Sequence, residues 1–572
     1  MSDESGPRVR AQGGASQPLH HPSLMTAGDR LGVITEGSLV DGLKARLDGA
    51  ASVEDMRAGS FVKIEGEKQD FFCLITDIQL SATDPQALQD PPGAADDLLR
   101  QVLSGITTFG AIKIQPMLVL PKEELDGGAR YLPPRTVPTH FSSVYRAGPA
   151  DFEQVFGAED ALHFQMGKPL DMDVPVCLDL KRFVERSNGV FGKSGTGKSF
   201  LTRLLLCGVI KSDLAVNLIF DMHSEYGHGA QSEDHRRVLG LQDLFGAQKV
   251  IVLALDSRSD ASRTVRADRT ITIGLNEIEV EDVALLQDEL RLNATAVETG
   301  NLLVAEYGTR WIAALLDMDA EGLKAFADRS GAHPGALAAL KRKLLAFHGL
   351  PFIREHVSGS NLDEMIGYLE QGRHVVLEFG QFSQPLYYML VANVVTRRIH
   401  RRWTELMEKH LRGRDPEPKQ LMITIEEAHK FLNPQVASQT IFGTIARELR
   451  KYRVTLLVVD QRPSGIDDEV LSQIGTRVTC QLNDDRDIEA VFSGVSGAGR
   501  LKSVLATLES REQAMIFGHA LPMPVVIETR KYDDAFYATV RSWGGDPVAL
   551  EAHRVANARE YHEIFGSNDD GD

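Results

Sequence analysis

The chain of 572 residues has little cysteine and a deficit of positive charge. Its four cysteines, Cys73, Cys177, Cys207 and Cys480, form no CxxC pair, which argues against a disulfide scaffold and favours buried thiols in a reducing compartment. Aspartate and glutamate outnumber lysine and arginine by 80 to 62, so we do not expect nucleic acid to coat the outside of the protein. A basic channel inside an assembly remains compatible with this charge, because phosphate binding needs only local positive charge.

Long apolar runs are also missing. No stretch approaches the roughly 18 uninterrupted apolar residues of a membrane-spanning helix. The first residues, Met1 to Glu4, do not begin a basic segment followed by an apolar one, so a signal peptide is not expected. The hydrophobic content of 43% and charged content of 25% are typical of a globular protein with room for several domains. We therefore expect a cytoplasmic protein without a membrane partner.

A complete phosphate-binding loop lies between a short apolar run and a helix-like segment, where residues 192–199 read Gly-Lys-Ser-Gly-Thr-Gly-Lys-Ser. Glycines allow the tight turn that points backbone N–H groups at phosphate oxygens, and the dipole of a following helix adds to the attraction. Lys198 can reach the β- and γ-phosphates, and the Ser199 hydroxyl can ligate Mg²⁺. The predicted ATP-binding residues here are Gly192, Lys193, Ser194, Gly195, Thr196, Gly197, Lys198, Ser199 and Phe200.

Two glutamates supply the second half of an ATP site directly after the apolar run 421–425. Open α/β sheets bind ligands at the carboxyl ends of their strands. Glu426 is predicted to hold Mg²⁺, although aspartate is commoner there, and Glu427 to orient or deprotonate the attacking water. Gln461 follows the next run, 454–459, and is the candidate sensor of the γ-phosphate. The alternative for the glutamates is a pair of exposed acids favoured at a helix start.

Four basic residues precede the run 454–459, and one of them is a candidate arginine finger, a device worth about 10³–10⁵ in rate. The alternative is that they only solubilise an exposed helix. They are Arg447, Arg450, Lys451 and Arg453.

The order of apolar and helical segments predicts an α/β fold: a RecA-like P-loop ATPase domain with a helical insertion, preceded by a small β-barrel. Five candidate strands of the parallel sheet are 215–220, 249–254, 375–379, 421–425 and 454–459. The barrel is predicted from short runs that include 61–64, 111–114 and 117–120. The predicted division is a disordered arm over 1–27, the barrel over 28–135, a linker over 136–180, the ATPase domain over 181–535 with its insertion at about 278–372, and a C-terminal extension over 536–572.

One long helix is predicted over 387–410, and its second half is strongly basic. Two interpretations are open for this end of the helix: a solvated surface, or a contact with nucleic acid. The residues concerned are Arg397, Arg398, His400, Arg401 and Arg402.

Taken together, these motifs resemble the HerA branch of the HerA–FtsK ATPases, which are ring-forming DNA translocases. The phosphate loop and Glu426-Glu427-Ala428-His429 match the two nucleotide motifs of that family. The run 221–226, Asp-Met-His-Ser-Glu-Tyr, is similar to its Asp-x-His-Gly-Glu-Tyr signature, with Ser224 in place of glycine. The segment 450–464 matches its sensor region, and Gly32 to Leu39 resembles the start of the HAS-type barrel that precedes the motor.

The resemblance implies a homohexamer with ATP and Mg²⁺ at the subunit interfaces and double-stranded DNA threaded through a central pore. It places Asp221 among the nucleotide-site residues. It also implies that arginines act across the interface, at positions that fall on Arg186, twelve residues before Lys198, and on Arg450. Val184 and Glu185 stand before Arg186, where the family often has Arg-His.

Two functions are compatible with the sequence. The first is an ATP-driven motor that translocates double-stranded DNA and works with a partner nuclease or effector, in DNA end processing or anti-phage defence. The second is a hexameric ATP-binding scaffold that assembles and regulates a separate effector enzyme. A transporter-type ATPase is disfavoured, since no Leu-Ser-Gly-Gly-Gln-like segment precedes the acidic strand. A conjugative coupling ATPase is also disfavoured, since that class usually carries a membrane anchor and none is expected from this sequence.

Overall fold

The structure is a computed structural model that describes residues 30–49, 51–83, 108–122, 131–231, 237–255, 267–359, 361–435, 437, 440–495, 498–508 and 512–543. The predicted arm at 1–27 and residues 544–572 of the predicted C-terminal extension lie outside these ranges. Within them, no helix is both long enough and apolar enough to cross a membrane.

A closed N-terminal barrel confirms the predicted small β-domain. Its strands are β1 (Arg30–Ser38), β2 (Gly42–Leu47), β3 (Phe61–Ile64), β4 (Gln69–Ala82), β5 (Thr108–Pro121) and β6 (Ser143–Arg146). They pair in the order β1-β2-β5-β4-β3-β6. Alternate residues point inward, as in β2, where Leu43, Ala45 and Leu47 are buried, and this period of two fills a small barrel. The runs 111–114 and 117–120 belong to the single strand β5. Pro116 between them is accommodated at a bulge in the pairing of β5 with β4.

The ATPase domain is built on one mixed sheet. The remaining described strands are β7 (His163–Pro169), β8 (Val176–Asp179), β9 (Asn188–Phe191), β10 (Ala215–Asp221), β11 (Ala230–Gln231), β12 (Arg237–Val238), β13 (Val250–Ala254), β14 (Arg269–Thr270), β15 (Ile273–Gly274), β16 (Ile353–Arg354), β17 (His374–Glu378), β18 (Gln420–Glu426), β19 (Val454–Asp460), β20 (Thr476–Thr479), β21 (Gln513–Gly518) and β22 (Val525–Thr529). Twelve of these form the sheet, in the order β14-β13-β17-β10-β18-β19-β9-β20-β21-β22-β7-β8. The first eight run parallel and the last four extend the edge in antiparallel fashion. The five predicted sheet strands are confirmed to within one residue at each end.

Helices surround this sheet and form the predicted insertion. The described α-helices are α1 (Pro149–Phe156), α2 (Leu180–Val184), α3 (Lys198–Ser212), α4 (Leu241–Phe245), α5 (Val280–Leu285), α6 (Gln287–Leu290), α7 (Ala294–Tyr307), α8 (Trp311–Asp317), α9 (Ala320–Ser330), α10 (Pro334–Leu344), α11 (Asn361–Glu370), α12 (Pro385–Leu411), α13 (His429–Leu432), α14 (Ile441–Glu448), α15 (Asp468–Gln473), α16 (Asp485–Val491), α17 (Ala498–Ala506) and α18 (Asp534–Trp543). Helices α5 to α11 lie between the outer strands β14 and β17 in the chain, which confirms the helical insertion.

Residues 136–180 differ from the linker that the sequence predicts. Strand β6 closes the barrel against β1 and β3, and the pair β7–β8 joins the ATPase sheet through β22. Helix α1 packs against the barrel, since the Phe152 ring lies 5.2 Å from the Phe61 ring and 5.4 Å from the Phe72 ring. The strands are only four to seven residues long, which is too short for a periodic signal to stand out.

The described start of the predicted C-terminal extension is also part of the ATPase core. Helix α18 buries Phe536, Tyr537 and Val540, and the Phe536 ring lies 6.4 Å from the Phe164 ring of β7.

The basic end of α12 faces the helical insertion. Arg397 donates to Asp282 Oδ2 at 2.6 Å and to the Glu277 carbonyl oxygen at 2.9 Å. The other pairs on this face are Arg398 with Asp363, Arg401 with Glu279 and Arg402 with Glu370. Acids of the same chain therefore pair with all four arginines of this end, and Arg401 stays 58% exposed to solvent.

Candidate nucleotide site

The phosphate loop joins β9 to α3 and is anchored by the strands on either side of β9. The Gly192 N–H donates to the Asp460 carbonyl at 3.3 Å, and the Lys193 N–H donates to the Gln481 carbonyl at 3.1 Å. Gly192, Gly195 and Gly197 have φ values of 153°, 79° and 95°, a region that residues with a side chain rarely adopt. A Cβ on Gly192 would lie 2.7 Å from the Cβ of Cys480. This loop therefore requires glycine for both its conformation and its close approach to β20.

The first turn of α3 presents the predicted phosphate ligand. Lys198 Nζ donates to the Lys193 carbonyl oxygen at 2.9 Å, so the side chain arches over the loop. Burial lowers the pKa of Lys198, and the nearby carboxylates of Glu427, Asp460 and Glu426 oppose this shift. Three acids thus lie within electrostatic reach of the ammonium group. In the same turn the Ser199 side chain is half-buried and Phe200 is 38% exposed.

The acids reach the loop because three neighbouring strands end at the same level. Glu426 of β18 pairs with Val459 of β19, and Asp460 of β19 pairs with Phe191 of β9. The structure therefore brings Glu426, Glu427 and Gln461 to the edge of the sheet that carries the phosphate loop, as expected for parallel strands.

Glu426 is buried and only half satisfied. Its Oε1 accepts a hydrogen bond of 2.9 Å from the Tyr226 hydroxyl, whereas Oε2 is buried without a hydrogen-bond partner among the described residues. Burial, together with the charges of Asp221 and Glu225, raises the pKa of Glu426 to about 8. A buried, unpaired carboxylate oxygen is costly unless something meets it. Together with the Ser199 hydroxyl, this oxygen fits the hard oxygen ligand set that Mg²⁺ prefers.

Glu427 is held by its neighbours in an unusual backbone conformation. Its φ of 49° lies in the left-handed region, which costs a residue with a side chain about 1–3 kcal/mol and is concentrated at functional sites. Gln461 Nε2 donates to Glu427 Oε1 at 2.9 Å. The two predicted residues thus act as one unit, in which the amide orients the carboxylate.

Two further polar residues complete this side of the site and were not predicted from the sequence. Asp460 is buried and accepts from the His429 backbone N–H at 2.7 Å. It also contacts His429 Nδ1 at 3.0 Å, a hydrogen bond that raises the pKa of His429. The signal in the sequence was an acid that ends an apolar strand, as Glu426 does.

Asp221 is the last residue of β10, and its side chain bonds to the loop that follows this strand. It is fully buried, and its carboxylate accepts the backbone N–H groups of Glu225 at 2.7 Å, Tyr226 at 2.8 Å and Gly227 at 3.3 Å. Ser224 has a φ of 53°, which explains why glycine suits this place in the signature. In this structure Asp221 shapes a loop, and that loop brings Tyr226 to Glu426.

The candidate arginines differ in whether they form an ion pair within the chain. Arg186 is exposed after α2, packs beside Gly475 and has no side-chain ion pair within the described part of the chain. Arg447 pairs with Glu469 at 3.1 Å and Arg453 with Glu417 at 3.4 Å. The backbone of Arg450 lies in a 3-10 turn, Leu449–Tyr452, and its side chain lies outside the described residues.

Comparison with protein families gives two matches along the chain. The family described as Helicase HerA, central domain, matches residues 164–399, and the HAS barrel domain matches residues 31–127. The first covers the phosphate loop and Asp221, and the second covers strands β1 to β5.

Individual relatives agree with these matches over most of their length. The DNA double-strand break repair helicase HerA of Sulfolobus acidocaldarius is 22% identical over 516 residues, or 89% of this chain and 94% of that protein. The HerA of Saccharolobus solfataricus is 21% identical, over 84% of this chain and 88% of its own. Among solved structures, VirB4 of Thermoanaerobacter pseudethanolicus matches 65% of this chain and 98% of its own, with 14% identity and a TM-score of 0.43.

Proposed function

The chain is a HerA-type P-loop ATPase with a HAS barrel, and from this we propose that it is an ATP-driven motor that translocates double-stranded DNA. The observation that carries the proposal is the Gln461–Glu427 pair at the edge of the sheet that also carries the phosphate loop. Such a pair can handle a water molecule next to a γ-phosphate, which is what hydrolysis requires and simple nucleotide storage does not.

The phosphate loop and Lys198 would bind ATP. The loop's N–H groups and the start of α3 attract the phosphates, and Lys198 Nζ exchanges the Lys193 carbonyl for phosphate oxygens. Ser199 and Glu426 would hold Mg²⁺, which when bound neutralises charge on the phosphates. Burial raises the pKa of Glu426 to about 8, and an adjacent cation would favour its ionised form.

Glu427 would orient the attacking water and accept its proton. Gln461 fixes one carboxylate oxygen, Oε1, and leaves Oε2 for the water. The cationic form of His429, whose Nδ1 lies 3.8 Å from Oε2, would stabilise the charge of this carboxylate before the proton is taken.

We propose that six copies of the chain form a ring, with each site completed by a neighbour. Support comes from Arg186, which is exposed and has no ion pair in the described part of its own chain. A neighbour's Arg186 or Arg450 would neutralise transition-state charge. The net charge of −18 restricts DNA to a local basic lining of the central pore. Four buried free cysteines suit a cytoplasmic site of action.

The test is ATP hydrolysis by the purified protein with and without linear double-stranded DNA. Hydrolysis should rise with DNA in the natural protein and be absent in Lys198→Ala. Hydrolysis that ignores DNA at every length and salt concentration would contradict the motor.

We further propose that the motor serves a partner nuclease or a defence effector, since HerA relatives are described as double-strand break repair helicases. Lys198→Ala also separates this from a scaffold. If the partner's activity and the hexamer both persist without ATP turnover, the scaffold is the primary role.

A further inference from the structure

The loop that follows β10 connects β10, the phosphate-loop helix and Glu426. It begins at Asp221, whose buried carboxylate accepts three consecutive backbone N–H groups, those of residues 225–227. This fixes the direction of the Tyr226 side chain, which is fully buried. The Tyr226 hydroxyl then donates to Glu426 Oε1 across 200 positions of sequence.

The same loop is tied to the helix that begins at Lys198. Arg203 is buried on that helix, and its Nε donates to the Glu225 carbonyl oxygen at 2.9 Å. Its guanidinium also lies 5.9 Å from the centre of the Tyr226 ring. A buried guanidinium held by a carbonyl and an aromatic face is a rigid link, because Arg presents its donors in a fixed plane.

We propose that Tyr226 is a positioning residue: it fixes the Glu426 carboxylate for Mg²⁺ and ties that carboxylate, through Glu225 and Arg203, to the phosphate-loop helix. The two oxygens of the Glu426 carboxylate differ in their hydrogen bonds. Tyr226 is the side-chain donor to Oε1 and the Met222 backbone also hydrogen-bonds the carboxyl group, while Oε2 has no partner among the described residues. A carboxylate anchored through one oxygen keeps a single orientation, and the other oxygen then loses little rotamer entropy when it binds a metal ion.

A second tyrosine that contacts Glu426, Tyr388, supplies a matched control. The Tyr388 hydroxyl is equally buried and donates to the backbone carbonyl oxygen of Glu426 at 3.1 Å. Tyr388→Phe and Tyr226→Phe each remove one buried hydroxyl that contacts Glu426. Only Tyr226→Phe frees the carboxylate, so a purely structural contribution would appear equally in both variants.

The experiment is an EPR titration of Mn²⁺, as a spectroscopic substitute for Mg²⁺, into the full chain with ADP. We expect Tyr226→Phe to weaken Mn²⁺ binding about tenfold or more, since a hydrogen bond to a charged group is lost. Tyr388→Phe should stay within about twofold of the natural protein. The Mg²⁺ concentration for half-maximal ATP hydrolysis should shift in parallel, with ADP affinity in the absence of metal unchanged.

Equal Mn²⁺ affinities for Tyr226→Phe and Tyr388→Phe would overturn the inference. In a Glu426→Gln background, Tyr226→Phe should add no further loss, and an additive loss would also count against it. If Tyr226→Phe does not fold, Arg203→Lys must weaken Mn²⁺ binding through the same loop. The inference rests on the proposed ATPase function, and the two fail differently: a natural protein that binds no Mn²⁺ with ADP contradicts the function itself.

Discussion

The Arg397→Met substitution should lower the free energy of unfolding of the ATPase domain far more than Arg401→Met. Asp282 is fully buried and accepts from Arg397 Nη2 at 2.6 Å, Arg397 Nε at 3.1 Å, Asn393 Nδ2 at 2.5 Å and the Glu279 backbone N–H at 2.8 Å. Removing one partner of a buried pair costs about 3–5 kcal/mol, because the remaining charge is stranded. We expect a loss near the lower limit, since the hydrogen bonds from the Glu279 backbone and the Asn393 amide to Asp282 remain. With a urea slope of roughly 3 kcal/mol/M, the midpoint falls by roughly 1 M.

The pH dependence identifies the cause. Burial raises the pKa of Asp282, and Arg397 opposes that shift, so removing Arg397 moves the pKa higher still. A carboxyl with a raised folded pKa adds stability at low pH that disappears as the pH rises through that pKa. The deficit of Arg397→Met should therefore be largest where Asp282 is ionised and shrink as the pH falls and Asp282 takes up a proton.

The control shares the helix face and the acidic partners but not the burial. Arg401 is 58% exposed and pairs with Glu279, and an exposed pair contributes less than about 1 kcal/mol. Equal losses for Arg397→Met and Arg401→Met, or a deficit that does not change with pH, would refute this account of the cluster.

Three further changes test the site and the fold. Glu427→Gln should bind ATP normally and hydrolyse it about 10²–10⁴-fold more slowly; near-normal turnover beside unchanged binding of a fluorescent ATP analogue would remove its catalytic role. Mixing Arg186→Ala subunits with Lys198→Ala subunits should restore part of the ATPase activity if Arg186 acts across an interface, and no recovery at any ratio would count against that. Burial lowers the pKa of His374 to about 3, so this residue contributes stability above pH 6.5 that is lost as the pH falls. His374→Asn should flatten acid unfolding followed by circular dichroism, whereas the exposed His348→Gln should not, and identical curves for the two would contradict the assignment.

The fold was predictable where apolar runs end in polar residues. Strands β10, β18 and β19 are continuous buried runs closed by Asp221, Glu426 and Asp460, which is the pattern of a parallel strand with a functional end. The glycine spacing of the phosphate loop was equally visible, because each of these glycines adopts a positive φ that the local turn requires.

Contacts between distant segments were not predictable in the same way. Nothing local in the sequence marks Tyr226 as a partner of Glu426, or Arg397 as a partner of Asp282, since each pair is separated by more than a hundred residues. For the basic end of α12, charge alone suggested solvent or nucleic acid, because most of the acids that pair with these arginines come from distant segments of the chain.

The anchoring of the phosphate loop has a consequence for how the protein is made. Strand β9 is sandwiched between β19 and β20, and Lys193 Nζ contacts Asn483, which is 290 residues further along the chain. At about 5–20 residues per second, a ribosome needs roughly 15–60 s to cover that distance. Until β20 has been synthesised, at least one of the two strands that flank β9 is missing. A polypeptide that ends before β20 therefore carries the complete nucleotide motif but lacks Cys480 and Gln481, which the phosphate loop contacts in the folded protein.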